Sequence, residues 1–229
     1  MNRKKLSTNK MVLGAVMTAL VVLLQYMGAF IKLGPFSVTL VLIPIVIGAA
    51  TCGAWIGAWL GFVFALMVFA TGDAAAFLAV NVQGTIITVL AKGVLCGLVS
   101  GIAYKGVHAL LDKRSHRQVE GIKKNSGLCD GCAGGVYKFL SRNNQTIAVF
   151  VAAIVCPLVN TGVFLLGCLA FFMDTISSWA AAAGLGGNVA QYMIFGLVGA
   201  NFLVELGVNI VLSPIVVRLL NIRKKSGSI

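Results

Sequence analysis

Two charged side chains lie far inside apolar stretches of the sequence. Lys92 lies within residues 82–104, and Glu205 lies within residues 190–217. Because a charge in the hydrocarbon of a membrane costs several kcal/mol or more, such a side chain normally faces protein, a partner or a solute. The ammonium group of Lys92 could bind the carboxylate of a small solute. These two residues are therefore the first candidates for a functional site.

Asparagines accompany both charges. Asn201, Glu205 and Asn209 are spaced four residues apart, which places them on one face of a helix. Counted from the ends of their apolar stretches, Lys92, Asn160 and Glu205 fall near the middle of the membrane, which predicts a shared polar cluster. The cluster could be a structural ion pair with hydrogen-bonding asparagines, or it could line a cavity for a small polar solute. A proton relay through Glu205 is a third alternative, which no chain of further acids or histidines supports.

Further polar side chains lie where apolar stretches begin or end. They are Lys32, Asn81, Gln83 and Gln191. Amides at such places are often interfacial anchors. Their convergence on one face of the membrane would instead fit the mouth of an outward-opening pocket, so they are included among the predicted solute-binding residues.

The composition indicates which elements position these groups. The chain is 59% hydrophobic and 10% charged, with a mean hydropathy of +0.98, whereas soluble domains carry about 25% charged residues. A span needs roughly 20 apolar residues. The sequence therefore predicts an all-α bundle in one integral membrane domain over residues 1–229. Its six spans lie at about 11–31, 38–50, 53–70, 82–104, 146–172 and 190–219, with a turn at Thr51-Cys52-Gly53.

The distribution of the basic residues predicts an orientation. The net charge is +12, yet no Lys or Arg occurs between residues 143 and 217. The basic residues precede the first span, fill a loop at about 105–145 and follow the last span. Positively charged flanks of this kind are typically cytoplasmic, so both termini and the loop are predicted to be cytoplasmic. The same distribution argues against a nucleic-acid surface.

The predicted loop at 105–145 has a composition that indicates weak order, being rich in Lys, Gly, Ser and Asn. It contains Cys129 and Cys132, but a zinc site needs four ligands and no second such pair is present. A reduced loop is expected in the cytoplasm, with a redox or partial metal role as the alternative. No metal site is predicted.

Small residues recur at helical spacing in three spans. Gly53, Gly57 and Gly61 form one glycine ladder, and a second runs through residues 93, 97 and 101. Ala15 and Ala19 form a shorter stripe in the first span. Such stripes let helix backbones approach closely. Packing within one bundle is the interpretation of the two glycine ladders, whereas the alanine stripe could also dock another membrane protein.

No arrangement of residues typical of an enzyme is present. The sequence contains no GxSxG elbow, no HExxH and no Walker lysine motif. The chain is therefore predicted not to be an enzyme and to need no cofactor. Any transport driven by ATP would depend on partner subunits.

Several segments in order resemble a known family. They are the Ala15/Ala19 stripe, residues 34–48 (GPFSVTLVLIPIVIG), 53–61 (GAWIGAWLG), 156–164 (CPLVNTGVF) and 201–209 (NFLVELGVN) followed by Pro214. Together they resemble the substrate-binding S component of energy-coupling factor (ECF) vitamin transporters. The long loop with its two cysteines departs from the family pattern.

The resemblance implies a function and a set of partners. It implies a six-helix, multi-pass protein of the plasma membrane that binds a vitamin or related micronutrient at its outer face. It further implies docking, through Ala15 and Ala19, on a transmembrane coupling protein driven by two cytoplasmic ATPases. Pantothenate, an anion with hydroxyls and an amide, would suit Lys92 and Lys32. A self-sufficient secondary transporter or channel for a small polar solute is the alternative.

Overall fold

The computed structural model describes residues 8–30, 32–33, 36–37, 39–126 and 129–226, and these residues are predominantly helical. Two two-residue strands pair antiparallel, with Lys32 opposite Ser37. The prediction of an all-helical bundle is confirmed apart from this short hairpin. The elements are α1 (Thr8–Gly28), β1 (Lys32–Leu33), β2 (Phe36–Ser37), α2 (Leu42–Cys52), α3 (Ala54–Ala70), α4 (Ala75–Leu78), α5 (Val82–Ser126), α6 (Asp130–Phe171), α7 (Met173–Ala182), α8 (Val189–Gln191), a π-helical segment (Tyr192–Gly199) and α9 (Ala200–Ser226).

Long apolar helices make this a membrane protein. Within the described ranges, four helices are long and apolar enough to cross a bilayer, and α2 and α3 are shorter apolar helices. The four long stretches are Lys10–Gly28, Val82–Asn125, Gly131–Phe171 and Val189–Arg218.

The α2–α3 pair forms a tight antiparallel hairpin. Gly53 joins the two helices with φ 110°, a left-handed conformation that favours glycine. A Cβ at Gly57 would lie 2.7 Å from the Cβ of Ala49, which places the two helices side by side after the reversal. The predicted turn at residues 51–53 is thereby confirmed.

The two glycine ladders bring α3 and α5 into backbone contact. A Cβ added at Gly57 would lie 2.5 Å from the carbonyl oxygen of Gly97, and one added at Gly61 would overlap the carbonyl of Gly93. A Cβ at Gly101 would lie 2.6 Å from Cα of Ala54. The prediction that these glycines pack within one bundle is confirmed. Close packing of α3 on α5 fixes the position of Lys92, because Lys92 directly precedes Gly93 on α5.

The predicted loop at 105–145 is instead a long helical hairpin. Helix α5 continues to Ser126 and α6 begins at Asp130. Tyr137 Oη donates to Asp112 Oδ2 at 3.0 Å, and Asn144 Nδ2 donates to Ser115 Oγ at 2.8 Å. The expectation of weak order was wrong. Despite its polar composition, this segment continues α5 and α6 as helices, and these hydrogen bonds hold the facing sides of the two helices together. Residues 173–189, which join the fifth and sixth predicted spans, also contain a helix, α7.

The tip of this hairpin holds the two cysteines close together. Cys129 caps the N-terminus of α6, and the backbone N–H of Cys132 donates to its Sγ at 3.4 Å. Hydrogen bonding from the side chain of Cys132, and then from its backbone N–H, lowers the pKa of the Cys129 thiol. A thiol with a lowered pKa is more often ionised at neutral pH, and the thiolate is the nucleophile.

We expect Cys129 to react faster than Cys132 with iodoacetamide at neutral pH. Both thiols are exposed, so access does not explain a difference. Mass spectrometry of timed samples would give the two rates. In the matched variant Cys132→Ala, which removes the side-chain hydrogen bond, the rate at Cys129 should fall. Equal rates at the two cysteines would contradict the expectation.

Candidate functional site

One cavity opens at the end of the bundle where α1, α3 and α6 end and α5 begins. Its lining residues come from α1, α3, α4, α5, α6 and α9 and from the connections between them. Its polar lining consists of Gln25, Thr39, Asp73, Thr85, Thr88, Lys92, Asn160, Thr161, Asn201 and Glu205. Its aromatic lining consists of Phe64, Phe77, Phe164, Phe172 and Phe202.

Helical periodicity explains why these residues face one space. Thr85, Thr88 and Lys92 are three and four residues apart on α5, and Asn201 and Glu205 are four apart on α9. Lys92 lies ten residues after Val82, the first residue of α5, which corresponds to about 15 Å along the helix. The cavity therefore extends from the helix ends to a depth comparable with half of a bilayer's hydrocarbon core.

Lys92 lies among aromatic rings. Its Nζ is 5.7 Å from the centre of the Phe64 ring and 5.3 Å from that of Phe164, positions suited to cation–π attraction. Glu205 and Asp73 line the same cavity as Lys92. Among the described residues, however, no carboxylate oxygen lies within 4.0 Å of this Nζ. The structure thus contains no direct Lys92–Glu205 ion pair.

Glu205 is held instead by neutral hydrogen-bond donors. Glu205 is only 3% exposed, and Asn201 Nδ2 donates a hydrogen bond to its Oε1 at 3.1 Å. Thr39 and Asn160 are its other hydrogen-bonding neighbours. A buried carboxylate needs such partners to offset the loss of water. Glu205 is therefore an integral part of the deep wall.

Asp73 is a second carboxylate on the cavity wall, in the short connection after α3. Gln25 Nε2 donates to its Oδ2 at 2.8 Å, and Thr71 Oγ1 donates to the same oxygen at 3.1 Å. Sequence reasoning did not select Asp73 or Gln25 as site residues. The sequence does contain one indication of this contact. Gln25 is a polar amide within the apolar stretch of α1, and such an amide needs a hydrogen-bond partner on another element.

Comparison with known proteins assigns the chain to a family. A family model described as ECF transporter, substrate-specific component, matches residues 9–217. The chain belongs to this family. No curated protein and no solved structure matches it detectably. The S component resemblance found in the sequence is thereby confirmed, and membership implies that the chain works with an energy-coupling module.

The cavity of this S component brings together four of the predicted site residues. Lys92, Asn160, Asn201 and Glu205 all line it, although they lie on three different helices. Asn209, the third polar residue on the same face of α9, is buried but does not line it.

Three further predicted site residues, Asn81, Gln83 and Gln191, do not line the cavity. Asn81 Oδ1 accepts a hydrogen bond from Gly84 N at 2.9 Å, so this amide caps the start of α5. Gln83 and Gln191 are exposed side chains outside the cavity lining. The position of these amides near helix ends predicts the end of the bundle at which they lie. It does not predict whether their side chains face the cavity. The side chain of Lys32 lies outside the part of the chain that the structure describes.

An aromatic cluster holds one wall of the cavity in place. The Phe77 ring makes edge-to-face contacts with Phe164 at 5.6 Å, Phe172 at 5.0 Å and Trp179 at 5.6 Å between ring centroids. Such contacts stabilise the relative orientation of the rings beyond their burial. The cluster joins α4, the end of α6 and α7, and gives the cavity of the S component an apolar wall.

The alanine stripe lies on the outside of the S component. Ala15 and Ala19 are both exposed, whereas Gly14, Met17 and Val21 on the other face of α1 are buried. The stripe is therefore accessible on the surface of the described part of the chain. Lipid or another membrane protein would cover it.

Proposed function

We propose that this subunit captures a vitamin-like small molecule in the cavity around Lys92, Asn160, Asn201 and Glu205. The observation that carries the proposal is a cavity in which charged and amide side chains from three helices meet aromatic rings. Buried polar groups in a membrane are costly and are normally retained for function. The family match supports solute binding over a self-sufficient secondary transporter.

A topology accompanies the proposal. Six spans cross the plasma membrane, with α2 and α3 counted as the second and third spans. Both termini and the tip of the α5–α6 hairpin lie in the cytoplasm, supported by the basic residues at these places. The mouth of the cavity, at the opposite end of the helices, then faces outward.

The partners in the proposal follow from the family. A transmembrane coupling protein and two cytoplasmic ATPases would supply the driving force, and Ala15 and Ala19 would contact the coupling protein. The subunit itself would bind and deliver its solute without catalysing a reaction, and it would need no cofactor.

A binding screen with the purified chain tests the function. Each vitamin, pantothenate included, is added to the detergent-solubilised protein and the unfolding temperature is measured. A ligand at 100 times its Kd stabilises a protein by about 2.7 kcal/mol, so a true ligand should raise the unfolding temperature clearly. The variant Gln191→Ala, which changes an exposed side chain outside the cavity lining, should respond like the parent. If no compound raises the unfolding temperature and no solute is released from the denatured protein, the proposal fails.

A further inference from the structure

The formal charges around the cavity are unequal. Among the described residues, two carboxylates, those of Asp73 and Glu205, line the cavity together with one ammonium group, that of Lys92. Glu205 is only 3% exposed and has three neutral hydrogen-bonding neighbours. Asp73 is only partly buried, so it is the carboxylate that a solute reaches more easily.

The free oxygens of the buried amides point to the same class of solute. Gln25 Oε1, Asn160 Oδ1 and Asn201 Oδ1 are buried and have no hydrogen-bond partner among the described residues. Gln25 is only 2% exposed and Asn160 only 6%. These oxygens belong to cavity-lining side chains, and all three can only accept hydrogen bonds. They lack a donor, and the solute is the group that could supply it.

The orientation of these amides follows from their partners. Gln25 Nε2 donates to Asp73, and Asn201 Nδ2 donates to Glu205. An ionised carboxylate can only accept, so each amide must turn its nitrogen toward the acid and leave its oxygen free. Both hydrogen bonds that Asp73 receives from the described residues go to Oδ2, so Oδ1 is available to a further donor.

We propose that the solute is a cation or zwitterion whose protonated amine or amidine nitrogen binds Asp73. Its other N–H or O–H groups donate to the free oxygens of Gln25, Asn160 and Asn201. The aromatic wall suits the same solute, because the faces of Phe rings attract cations. In a zwitterion, the carboxylate lies next to Lys92. This inference rests on the proposed function and specifies its solute class.

The arrangement disfavours a purely anionic solute. Among the described residues that line the cavity, Lys92 is the one cation that would attract an anion such as pantothenate. The same anion would face both carboxylates and the three acceptor oxygens. Like charges held close together in a poorly hydrated site repel strongly. The sequence-based preference for pantothenate considers only Lys92 and Lys32, whereas Asp73 and Gln25 share the cavity with Lys92.

A matched panel of probes tests the inference by calorimetric titration of the purified full chain. Pyridoxamine carries a protonated amine, and thiamine carries a thiazolium cation together with an aminopyrimidine whose N–H groups can donate. Pyridoxine has the pyridoxamine ring with a hydroxyl in place of the amine, and pantothenate and nicotinate are anions. Any solute released from the denatured protein is identified by mass spectrometry and joins the panel. The tightest binder should carry a cationic nitrogen.

The variant Asp73→Asn separates charge from shape. Because hydrogen bonds to charged groups are the strong ones, its affinity for the cationic binder should fall by about 10- to 100-fold. Asp174→Asn removes an exposed carboxylate at the same end of the bundle and should leave the affinity unchanged. The unfolding temperature without ligand shows whether Asp73→Asn is folded; if it is not, Asp73→Glu, which keeps the charge, should retain the preference for cations.

Each remaining outcome counts against a specific statement. A tightest binder without a cationic nitrogen, or a folded Asp73→Asn variant that binds the cation as well as the parent does, overturns this inference and leaves the proposed function standing. If the protein binds no probe and releases no solute, the proposed function itself fails, and the inference with it.

Discussion

Replacing Gly97 with alanine is expected to destabilise the bundle, although alanine is the better helix former. In an open helix position this change stabilises by about 0.5–1 kcal/mol, because glycine loses more backbone freedom on folding. At Gly97 the added methyl group would overlap the carbonyl of Gly57 on α3. Main-chain atoms cannot rotate away as a side chain can, so the two helices would have to separate.

The size of the effect follows from the length of the contact. Gly57 lies against Gly97, and Gly61 lies against Gly93, so separation at one level opens the next. Overpacking a well-packed interior costs typically 1–3 kcal/mol and occasionally more, and we expect about 3 kcal/mol here. Because Lys92 precedes Gly93 on α5, the cavity should be distorted as well.

The unfolding temperature of the purified variant would measure this effect. Gly106 is the matched control, since it lies on the same helix and a Cβ there would meet no atom within 4 Å. Gly106→Ala should be neutral or slightly stabilising while Gly97→Ala is strongly destabilising. Equal unfolding temperatures for the two variants would mean that α3 and α5 are not in backbone contact.

The parts of the fold that the sequence could predict are those that depend on local pattern. The starts of α3 and α5 follow from apolar stretches and a glycine turn, and each was predicted to within one residue. The convergence of Lys92, Asn160 and Glu205 follows from their depth in the membrane. Depth is a local quantity, because it is counted from the ends of each residue's own helix.

The parts that could not be predicted depend on tertiary contacts. Asp73 belongs to the cavity because the end of α3 lies next to Gln25 of α1, a pairing of residues 48 positions apart. The continuation of α5 and α6 beyond the membrane depends on hydrogen bonds between the two helices, such as that from Tyr137 to Asp112. Composition alone describes such segments as polar loops.

Replacing both Ala15 and Ala19 with tryptophan is expected to abolish uptake while sparing solute binding. The two residues are exposed on α1, and the neighbouring exposed residues, Val12 and Val16, extend the same apolar face. Small residues let a second helix approach closely, and two large rings would prevent this. Gln25, the cavity residue of α1, is buried on the inward side of the helix, so the rings should not disturb it.

Transport of labelled solute into cells that contain the coupling module would measure uptake, and titration of the purified variant would measure binding. Val211→Trp is the matched control. Val211 is 72% exposed on α9, so this variant carries the same indole ring on a different helix. If the control also stops uptake, bulk in the membrane rather than docking is responsible. If the double variant loses binding together with uptake, α1 shapes the cavity and the docking assignment is wrong. If the double variant loses uptake but still binds solute, and the control keeps both, the contact with the coupling protein lies on this face of α1.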